Sequence, residues 1–292
     1  MKNIILITGI NGFLGSHLAK SLKSKFEIIG LSSSNTNLCR LGEEKFKIYS
    51  SKNDALSTMF SENNIFAIIH TATVYENVGN SVMPMFKTNV ELPIELTELA
   101  VKYEVELFVN CDTFFNDKRY EYDYLKDYTL SKRHSLEWMK MLASASKCKL
   151  VNMRLFHVYG EGDNLNKFVP SIIQEIRNNT KQLDMTLGEQ TRDFVYIHDV
   201  VDAFYIVLNS SSRLSAFQEF DIGLGKSYSI KEFVTTIKSI TNSKTDLRFG
   251  SLPYRLGEIM ESKASNRDIL NLGWKPKYSL RKGLENYIFS EK

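Results

Sequence analysis

The stretch IILITGINGFLG (residues 4–15) decides the fold, because it joins a short apolar run to a glycine-rich turn and an amphipathic helix. Gly9, Gly12 and Gly15 recur every third residue, which lets the backbone turn sharply and approach a pyrophosphate. The helix N-terminus would offer N–H groups and the positive end of its dipole to phosphates. The spacing departs from the GxGxxG form, and a purely structural turn is the alternative. We predict a dinucleotide site with contacts from Gly9, Asn11, Gly12, Phe13, Leu14 and Gly15.

Short apolar runs recur through the first half of the chain at 4–7, 27–31, 66–70, 106–110 and 149–154. Runs without alternation are typical of strands buried on both faces of a parallel sheet. Helical apolar spacing lies between them, so we predict a doubly wound α/β sheet of the Rossmann type. After about residue 155 the pattern changes to that of a smaller C-terminal α/β lobe. We therefore expect a cofactor domain over 1–160 with a return segment near 190–210, and a substrate lobe over 161–292.

Composition excludes several classes of function. The 292 residues carry a net charge of +3, which gives no basic field for nucleic acid. Cys39, Cys111 and Cys148 are few and widely spaced, so neither a disulfide framework nor a CxxC zinc site is expected, and no metal is predicted. The apolar run at 4–7 is shorter than the ~7–15 residues of a secretory signal, and no stretch could span a bilayer. We expect a cytoplasmic protein with no membrane partner.

The end of the second predicted strand bears on which dinucleotide is bound. A protein that prefers NAD holds the ribose hydroxyls with an acid about 20 residues after the glycines. Here no acid occurs between Glu27 and Glu43. Hydroxyls and a guanidinium suit a ribose phosphate, although an ordinary polar loop is the alternative. We predict NADP(H) over NAD, with contacts from Ser32, Ser33, Ser34 and Arg40.

The segment DYTLSKR (127–133) pairs a tyrosine with a lysine one helical turn later. A nearby ammonium stabilises phenolate, so we expect Lys132 to lower the pKa of Tyr128 and make the phenol a usable acid or base. The alternative is that the two residues share a helix face by chance and carry no chemistry. The preceding CDTFF carries a hydroxyl, Thr113, that could hold a substrate carbonyl beside Tyr128.

The chain resembles the extended short-chain dehydrogenase/reductases, the NAD-dependent epimerase/dehydratase family. Eight segments carry the resemblance in order: TGINGFLG (8–15), HTAT (70–73), TNV (88–90), YTLSK (128–132), RLFHVYGEGD (154–163), GEQTRDFVYIHDVVDAF (188–204), FDIGLGKSYSI (220–230) and LGWKPKYSLRKGL (272–284). Within the family, NCDTFF (110–115) and PYRLGEIMES (253–262) look most like nucleotide-sugar 4-ketoreductases of the CDP-abequose synthase type.

The resemblance implies roles for single residues. Tyr128 would be the proton donor, and Lys132 its electrostatic partner and a ligand of the cofactor. Thr71 and Ala72 would line the cofactor path. Asn89 would be an anchor near the sheet. The substrate-binding residues would be Thr113, His157, Arg192 and Arg255.

Two positions depart from the family pattern. The catalytic Ser or Thr aligns with Cys111, and a thiol is a poor hydrogen-bond donor, so Thr113 is favoured and Cys111 is kept as a candidate. His157 stands where many relatives have Asn, and either a substrate contact or a hydrogen bond to the backbone would explain it. Family dehydratases have an Asp-Glu pair at this point, but here Asp112 is followed by Thr113. Because the elimination of water needs an acid there, dehydration is disfavoured.

These features predict an NADPH-dependent reduction of the 4-keto group of a nucleotide-linked deoxysugar, of the CDP- or dTDP-4-keto-6-deoxyhexose type, for surface polysaccharide precursors. An NAD-dependent 4-epimerase and a non-catalytic NADP-sensing regulator are the alternatives. The resemblance also implies a homodimer through helices at about 84–103 and 127–146.

Overall fold

The computed structural model describes residues 2–33, 38–50, 55–75, 81–120 and 125–290. These residues fall into two compact units. The first comprises 1–118, 124–154 and 204–220, and the second comprises 119–123, 155–203 and 221–292. The segment that returns to the first unit is thus 204–220, whereas the sequence placed it near 190–210.

The strands follow the apolar runs of the sequence. Their bounds are β1 Ile4–Thr8, β2 Glu27–Ser32, β3 Lys47–Ser50, β4 Ile65–His70, β5 Leu107–Thr113, β6 Lys149–Leu155, β7 His157–Tyr159, β8 Gln182–Met185, β9 Thr191–Arg192, β10 Phe194–Tyr196, β11 Phe217–Ile222, β12 Tyr228–Ser229 and β13 Asp246–Phe249.

The α-helices lie between these strands. Their bounds are α1 Phe13–Leu22, α2 Ala55–Glu62, α3 Met83–Phe86, α4 Leu92–Lys102, α5 Lys126–Ser144, α6 Phe168–Arg177, α7 Ile197–Asn209, α8 Ile230–Thr241, α9 Arg267–Leu272 and α10 Leu280–Ser290. A π-helical segment, Lys87–Glu91, joins α3 to α4.

The central sheet has the order β11-β6-β5-β4-β1-β2-β3. The strand β1 pairs in parallel with both β2 and β4, which makes it the point where the strand order reverses. In open sheets of this kind ligands bind beyond the carboxyl ends of the strands at that reversal. The predicted Rossmann-type α/β fold is confirmed.

A buried cluster fixes one face of this sheet. It joins strand residues such as Leu6, Ile68 and Phe108 to Leu96 of α4 and Met139 of α5. Because α5 is held by this packing, the residues on its inner face have fixed positions relative to the ends of β4 and β5.

The second unit is built from small strand pairs and helices. The strand β7 pairs in parallel with β10, β8 pairs in parallel with β13, and β9 pairs antiparallel with β12. The Ser229 hydroxyl caps α8 by accepting a hydrogen bond from the Glu232 N–H at 3.0 Å. This is one of the two hydrogen bonds of a capping box.

Candidate active site

The glycine loop leaves β1 in a conformation that requires glycine. Gly9 has φ +62°, and a Cβ there would lie 2.8 Å from the Ala72 Cα. A Cβ on Gly15 would lie 2.3 Å from the Gly9 carbonyl oxygen. Gly12 is the N-cap of α1 and has no side chain to cap it, so the first turn of the helix faces the loop with backbone N–H groups. This close-packed turn is the cradle that a pyrophosphate needs.

A cavity of about 300 Å³ opens beside this loop. Its lining residues are Thr8, Gly9, Asn11, Gly12, Leu31, Ser32, Ser33, Ala72, Thr73, Val74, Thr88 and Leu92. The structure therefore brings together six of the predicted cofactor residues: Gly9, Asn11, Gly12, Ser32, Ser33 and Ala72. None of the described residues that line it is acidic. The glycine turn and the uncharged lining suit the phosphates of a dinucleotide, and these residues would hold that part of one.

The other predicted cofactor residues take different positions. Phe13, Leu14 and Gly15 form the first turn of α1. The Arg40 backbone N–H donates to Asn11 Oδ1 at 3.1 Å, which places Arg40 next to the glycine loop. The Thr71 hydroxyl donates to the Thr8 carbonyl oxygen at 2.7 Å, so it ties β4 to β1. Ser34 lies outside the described residues.

A buried histidine, for which the sequence suggested no role, fixes the loop after β4. The Thr8 hydroxyl oxygen accepts the N–H groups of Thr71 and Ala72, both at 3.1 Å, and lies 2.9 Å from His70 Nδ1. Burial, together with the charge of Lys132, lowers the pKa of His70 well below its ordinary value. His70 is therefore neutral, and Thr8 donates its own proton to Nδ1 because both its acceptor sites are taken.

Tyr128 and Lys132 lie one turn apart on the buried face of α5. Lys132 Nζ donates to the Cys111 carbonyl oxygen at 3.0 Å. Burial raises the pKa of Tyr128, and the Asp112 carboxylate raises it further, while a hydrogen bond with the Thr73 side chain lowers it. The direction is the opposite of our expectation, because removal from water and the Asp112 carboxylate both favour the neutral phenol. Tyr128 is a protonated phenol at neutral pH.

Cys111 and Thr113 flank Asp112 at the end of β5. Burial raises the pKa of Cys111 to about 12, so it is a thiol rather than a thiolate. The Thr113 hydroxyl oxygen accepts the Phe115 N–H at 3.3 Å and caps a short 3-10 turn. Both residues belong to the strand end that Lys132 contacts.

Asp112 is the charged group at the centre of this strand end. Its Oδ1 accepts the Thr113 N–H at 2.7 Å and Asn116 Nδ2 at 2.7 Å, and its Oδ2 accepts Asn152 Nδ2 at 2.9 Å. Burial raises the pKa of Asp112, and these hydrogen bonds oppose the rise. Sequence reasoning used Asp112 only to argue against dehydration and missed its place beside Tyr128.

Asn89, in the π-helical segment, anchors the loop that follows β4. Its Oδ1 accepts the Val74 N–H at 2.8 Å, and its Nδ2 donates to the Val74 carbonyl at 2.8 Å and to Ser131 Oγ at 3.0 Å. The Ser131 hydroxyl in turn donates to the Tyr128 carbonyl at 2.7 Å. The rings of Tyr75 and Tyr128 lie 4.8 Å apart. Asn89 thus fixes residues 73–75 beside the helix α5.

The remaining predicted residues belong to the second unit. His157 Nε2 lies 3.0 Å from the Ser262 hydroxyl oxygen, which gives the imidazole a side-chain partner. Burial and the charge of Arg192 lower the pKa of His157 to about 3. The Arg192 guanidinium is paired with Glu258 and donates to the Ile259 carbonyl at 2.6 Å. Arg255 is exposed.

Within the described ranges no helix is long and apolar enough to cross a membrane, and no group of three or more His, Cys, Asp or Glu side chains could hold a metal ion.

Comparison with known proteins identifies the family. Residues 5–223 match the NAD dependent epimerase/dehydratase family. The chain belongs to this family. It is therefore an NAD(P)-dependent oxidoreductase of the epimerase/dehydratase group, with the glycine loop, Tyr128 and Lys132 in the positions described above.

Individual relatives cover almost the whole chain. CDP-abequose synthase of Salmonella muenchen is 35% identical, over 97% of this chain and 96% of its own length. The CDP-abequose synthase of Salmonella typhimurium is 31% identical, over 99% of this chain and 98% of its own. The UDP-glucuronic acid 4-epimerase of Bacillus cereus, solved with UDP-glucuronic acid and NAD, superimposes with a TM-score of 0.84 at 22% identity, covering 99% and 100% of the two chains. At that identity the likeness shows the fold alone.

Proposed function

We propose that this protein reduces the 4-keto group of a nucleotide-linked 6-deoxyhexose, CDP- or dTDP-linked, with NADPH. The relatives named CDP-abequose synthase, at 31% and 35% identity, support this substrate class. The product would serve as a precursor of surface polysaccharide. The observation that carries the proposal is a buried tyrosine, Tyr128, whose ring lies 4.8 Å from that of Tyr75, directly after the cavity-lining residues Thr73 and Val74.

The residues of the first unit supply what a ketone reduction needs besides the hydride. When bound, the reduced nicotinamide supplies the hydride to the carbonyl carbon. Tyr128 gives its phenolic proton to the carbonyl oxygen. Lys132 holds the end of β5 through the Cys111 carbonyl and brings a positive charge to the site. Thr113 and Cys111 are the groups of that strand end that we assign to the sugar carbonyl.

The charge state of Tyr128 favours reduction over epimerisation. A 4-epimerase begins by taking a proton from a sugar hydroxyl, which requires phenolate, whereas a reductase begins by giving one. Burial and the Asp112 carboxylate both raise the pKa of Tyr128 and so favour the phenol. The pair therefore suits a proton donor.

The cavity composition favours NADPH over NADH. Ser32 and Ser33 line it at the end of β2, and none of the described lining residues carries a carboxylate that would repel a ribose phosphate. We expect Ser32→Asp to weaken NADPH binding at least tenfold and to strengthen NADH binding in fluorescence titrations. Ser57→Asp on the exposed surface of α2 is the charge-matched control. Equal NADPH affinity in Ser32→Asp and the control would contradict the assignment.

The substrate assignment is tested with purified protein and a panel of nucleotide sugars. CDP-, dTDP-, GDP- and UDP-linked 4-keto-6-deoxyhexoses are each mixed with NADPH, and the loss of reduced-nicotinamide absorbance is followed. We expect consumption of one NADPH per keto sugar with the CDP- or dTDP-linked compounds. Inversion at C4 of a nucleotide sugar that carries a 4-hydroxyl group, with no net consumption of NADPH, would identify an epimerase instead. His157, Arg192 and Arg255 are our candidates for the groups that contact the substrate.

We also propose a cytoplasmic homodimer. Six exposed large apolar side chains lie on α3, the residue preceding it, and α5: Val82, Met83, Phe86, Leu130, Trp138 and Met141. On α5 they recur at helical spacing along one face, so a second copy could cover them. We expect a light-scattering mass of two chains for the wild type and of one chain for Trp138→Arg. A wild-type mass equal to one chain at micromolar concentration would refute the proposed dimer.

A further inference from the structure

Two polar atoms on neighbouring strands of the central sheet are buried and have no hydrogen-bond partner among the residues that the structure describes. They are His70 Nε2 on β4 and Asn110 Oδ1 on β5. The exposed fraction of His70 is 0% and that of Asn110 is 1%. Leaving a buried polar group unsatisfied costs free energy, so two such groups side by side indicate a bound molecule that satisfies both.

The two residues lie opposite each other on one face of the sheet. His70 pairs with Asn110 in the parallel register of β4 and β5. The His70 ring lies 6.3 Å from that of Phe108, which precedes Asn110 by two residues and therefore shares its face. Adjacent strands are ~4.8 Å apart. One water molecule can bridge such a spacing, because two hydrogen bonds of about 2.9 Å join atoms up to about 5 Å apart.

His70 presents a donor at Nε2. The Thr8 hydroxyl oxygen accepts the N–H groups of Thr71 and Ala72, both at 3.1 Å. Both of its acceptor sites are thus filled, so the hydroxyl donates its proton to His70 Nδ1, 2.9 Å away. The imidazole proton is therefore on Nε2, where it faces away from Thr8.

Asn110 presents an acceptor, and the reason begins at two carboxylates. Asn152 Nδ2 donates to Asp112 Oδ2 and to Glu219 Oε2, both at 2.9 Å. Because carboxylates accept, this contact fixes the orientation of the Asn152 amide and leaves its Oδ1 for Asn110. Asn110 Nδ2 donates to that oxygen at 2.8 Å. The oxygen of the Asn110 amide is therefore the atom without a partner.

We propose that one buried water molecule binds between His70 and Asn110, accepting the Nε2–H of His70 and donating to Oδ1 of Asn110. The pairing of one donor with one acceptor selects water. A metal cation would meet the Nε2–H, and an anion would meet the amide oxygen, whereas water both accepts and donates.

The water completes a row of hydrogen bonds across the first unit. On one side the row begins at the N–H of Ala72, which lines the cofactor cavity, and ends at His70. On the other side it runs from Asn110 through Asn152 to Asp112 at the end of β5. The water thus joins the loop beside the cofactor cavity to the strand end that carries Asp112. This inference does not depend on which reaction the enzyme performs.

The first test is a crystal structure of the wild-type protein at a resolution that shows ordered waters. We expect a water oxygen within about 3.2 Å of both His70 Nε2 and Asn110 Oδ1. A dry site, or a direct hydrogen bond between the two side chains, would overturn the inference.

The second test counts long-lived internal waters in solution by magnetic relaxation dispersion of the water oxygen nucleus. His70→Leu removes the donor, Asn110→Leu removes the acceptor, and we expect each variant to lose one long-lived water. Ile68→Leu is the matched control, because Ile68 lies opposite Phe108 on the same two strands and its side chain has no polar atom. We expect the control to keep the wild-type count. An unchanged count in either His70→Leu or Asn110→Leu would contradict the site, and if a variant does not fold, the wild-type crystal structure decides alone.

Discussion

His157 makes the stability of the second unit sensitive to acid, and the sign follows from its surroundings. The imidazole lies beside Phe194 and Ser262, and the Arg192 guanidinium opposes its protonation. Burial and that charge lower its pKa from 6.5 to about 3. A histidine with a lowered pKa contributes stability that is fully present above its unfolded-state pKa and is lost as the pH falls below it.

The size of the loss follows from the two pKa values. Between pH 6.5 and about pH 3 the unfolded chain binds a proton at this position that the folded chain does not. Each pH unit in that window is worth about 1.4 kcal/mol, so lowering the pH from 7 to 5 should remove about 2 kcal/mol through His157 alone. Other groups titrate in the same range, and their contribution cancels when two variants are compared.

The assay is urea unfolding of the wild type and of His157→Gln at pH 7 and pH 5. Glutamine can keep a hydrogen bond to the Ser262 hydroxyl and cannot be protonated. We expect the loss of unfolding free energy between the two pH values to be smaller in His157→Gln by about 2 kcal/mol. The same loss in both proteins would refute the reasoning, since it would show that His157 titrates normally in the folded state.

Three further substitutions test the local geometry. Gly15→Ala places a Cβ 2.3 Å from the Gly9 carbonyl oxygen, so we expect NADPH affinity in fluorescence titrations to fall at least tenfold. An unchanged affinity would contradict the assignment of the glycine turn to the cofactor phosphates. Asp112→Asn would place an amide N–H group opposite Asn152 Nδ2, which is itself a donor. We expect the free energy of unfolding in urea to fall by about 2 kcal/mol. An unchanged free energy would show that Asp112 does not accept this hydrogen bond. Thr129→Val removes a buried hydroxyl that lacks a described partner, so we expect a gain of about 1 kcal/mol in urea unfolding, and a loss would show a missed contact.

The sequence predicts the sheet well because its signals are local. Each of the five apolar runs overlaps a strand, and the glycine stretch begins the helix α1 where expected. The edge strand β3 and the returning strand β11 were missed. The burial pattern of β3 is largely intermediate, and the first half of β11 is likewise only partly buried, so neither gives a clear apolar run.

The chemistry of the site was less accessible from the sequence. Spacing alone placed Tyr128 and Lys132 on one face of a helix, but the direction of the Tyr128 pKa depends on burial and on Asp112, which lies on a different element. The Thr73 hydroxyl donates to Oδ1 of Asn89 at 3.2 Å, although Asn89 lies 16 residues later, in the π-helical segment. Such contacts across elements leave no periodic signal.

The pairing of Arg192 with Glu258 was likewise not visible from the sequence. The strand containing Arg192 and the segment containing Glu258 are 66 residues apart in the chain and meet through backbone hydrogen bonds such as Thr191 N–H to the Met260 carbonyl at 2.7 Å. A sequence motif identifies the guanidinium but not the carboxylate that folding brings to it.

The most direct test of the account is Tyr128→Phe, assayed for reduction of a CDP- or dTDP-linked 4-keto-6-deoxyhexose by NADPH. Tyr103→Phe, at the C-terminal end of α4, is the matched control. We expect turnover to fall about 1,000-fold in Tyr128→Phe, with NADPH affinity unchanged and the control equal to the wild type, because the proton donor alone is lost. Turnover of the keto sugar by Tyr128→Phe at the wild-type rate would contradict the central claim.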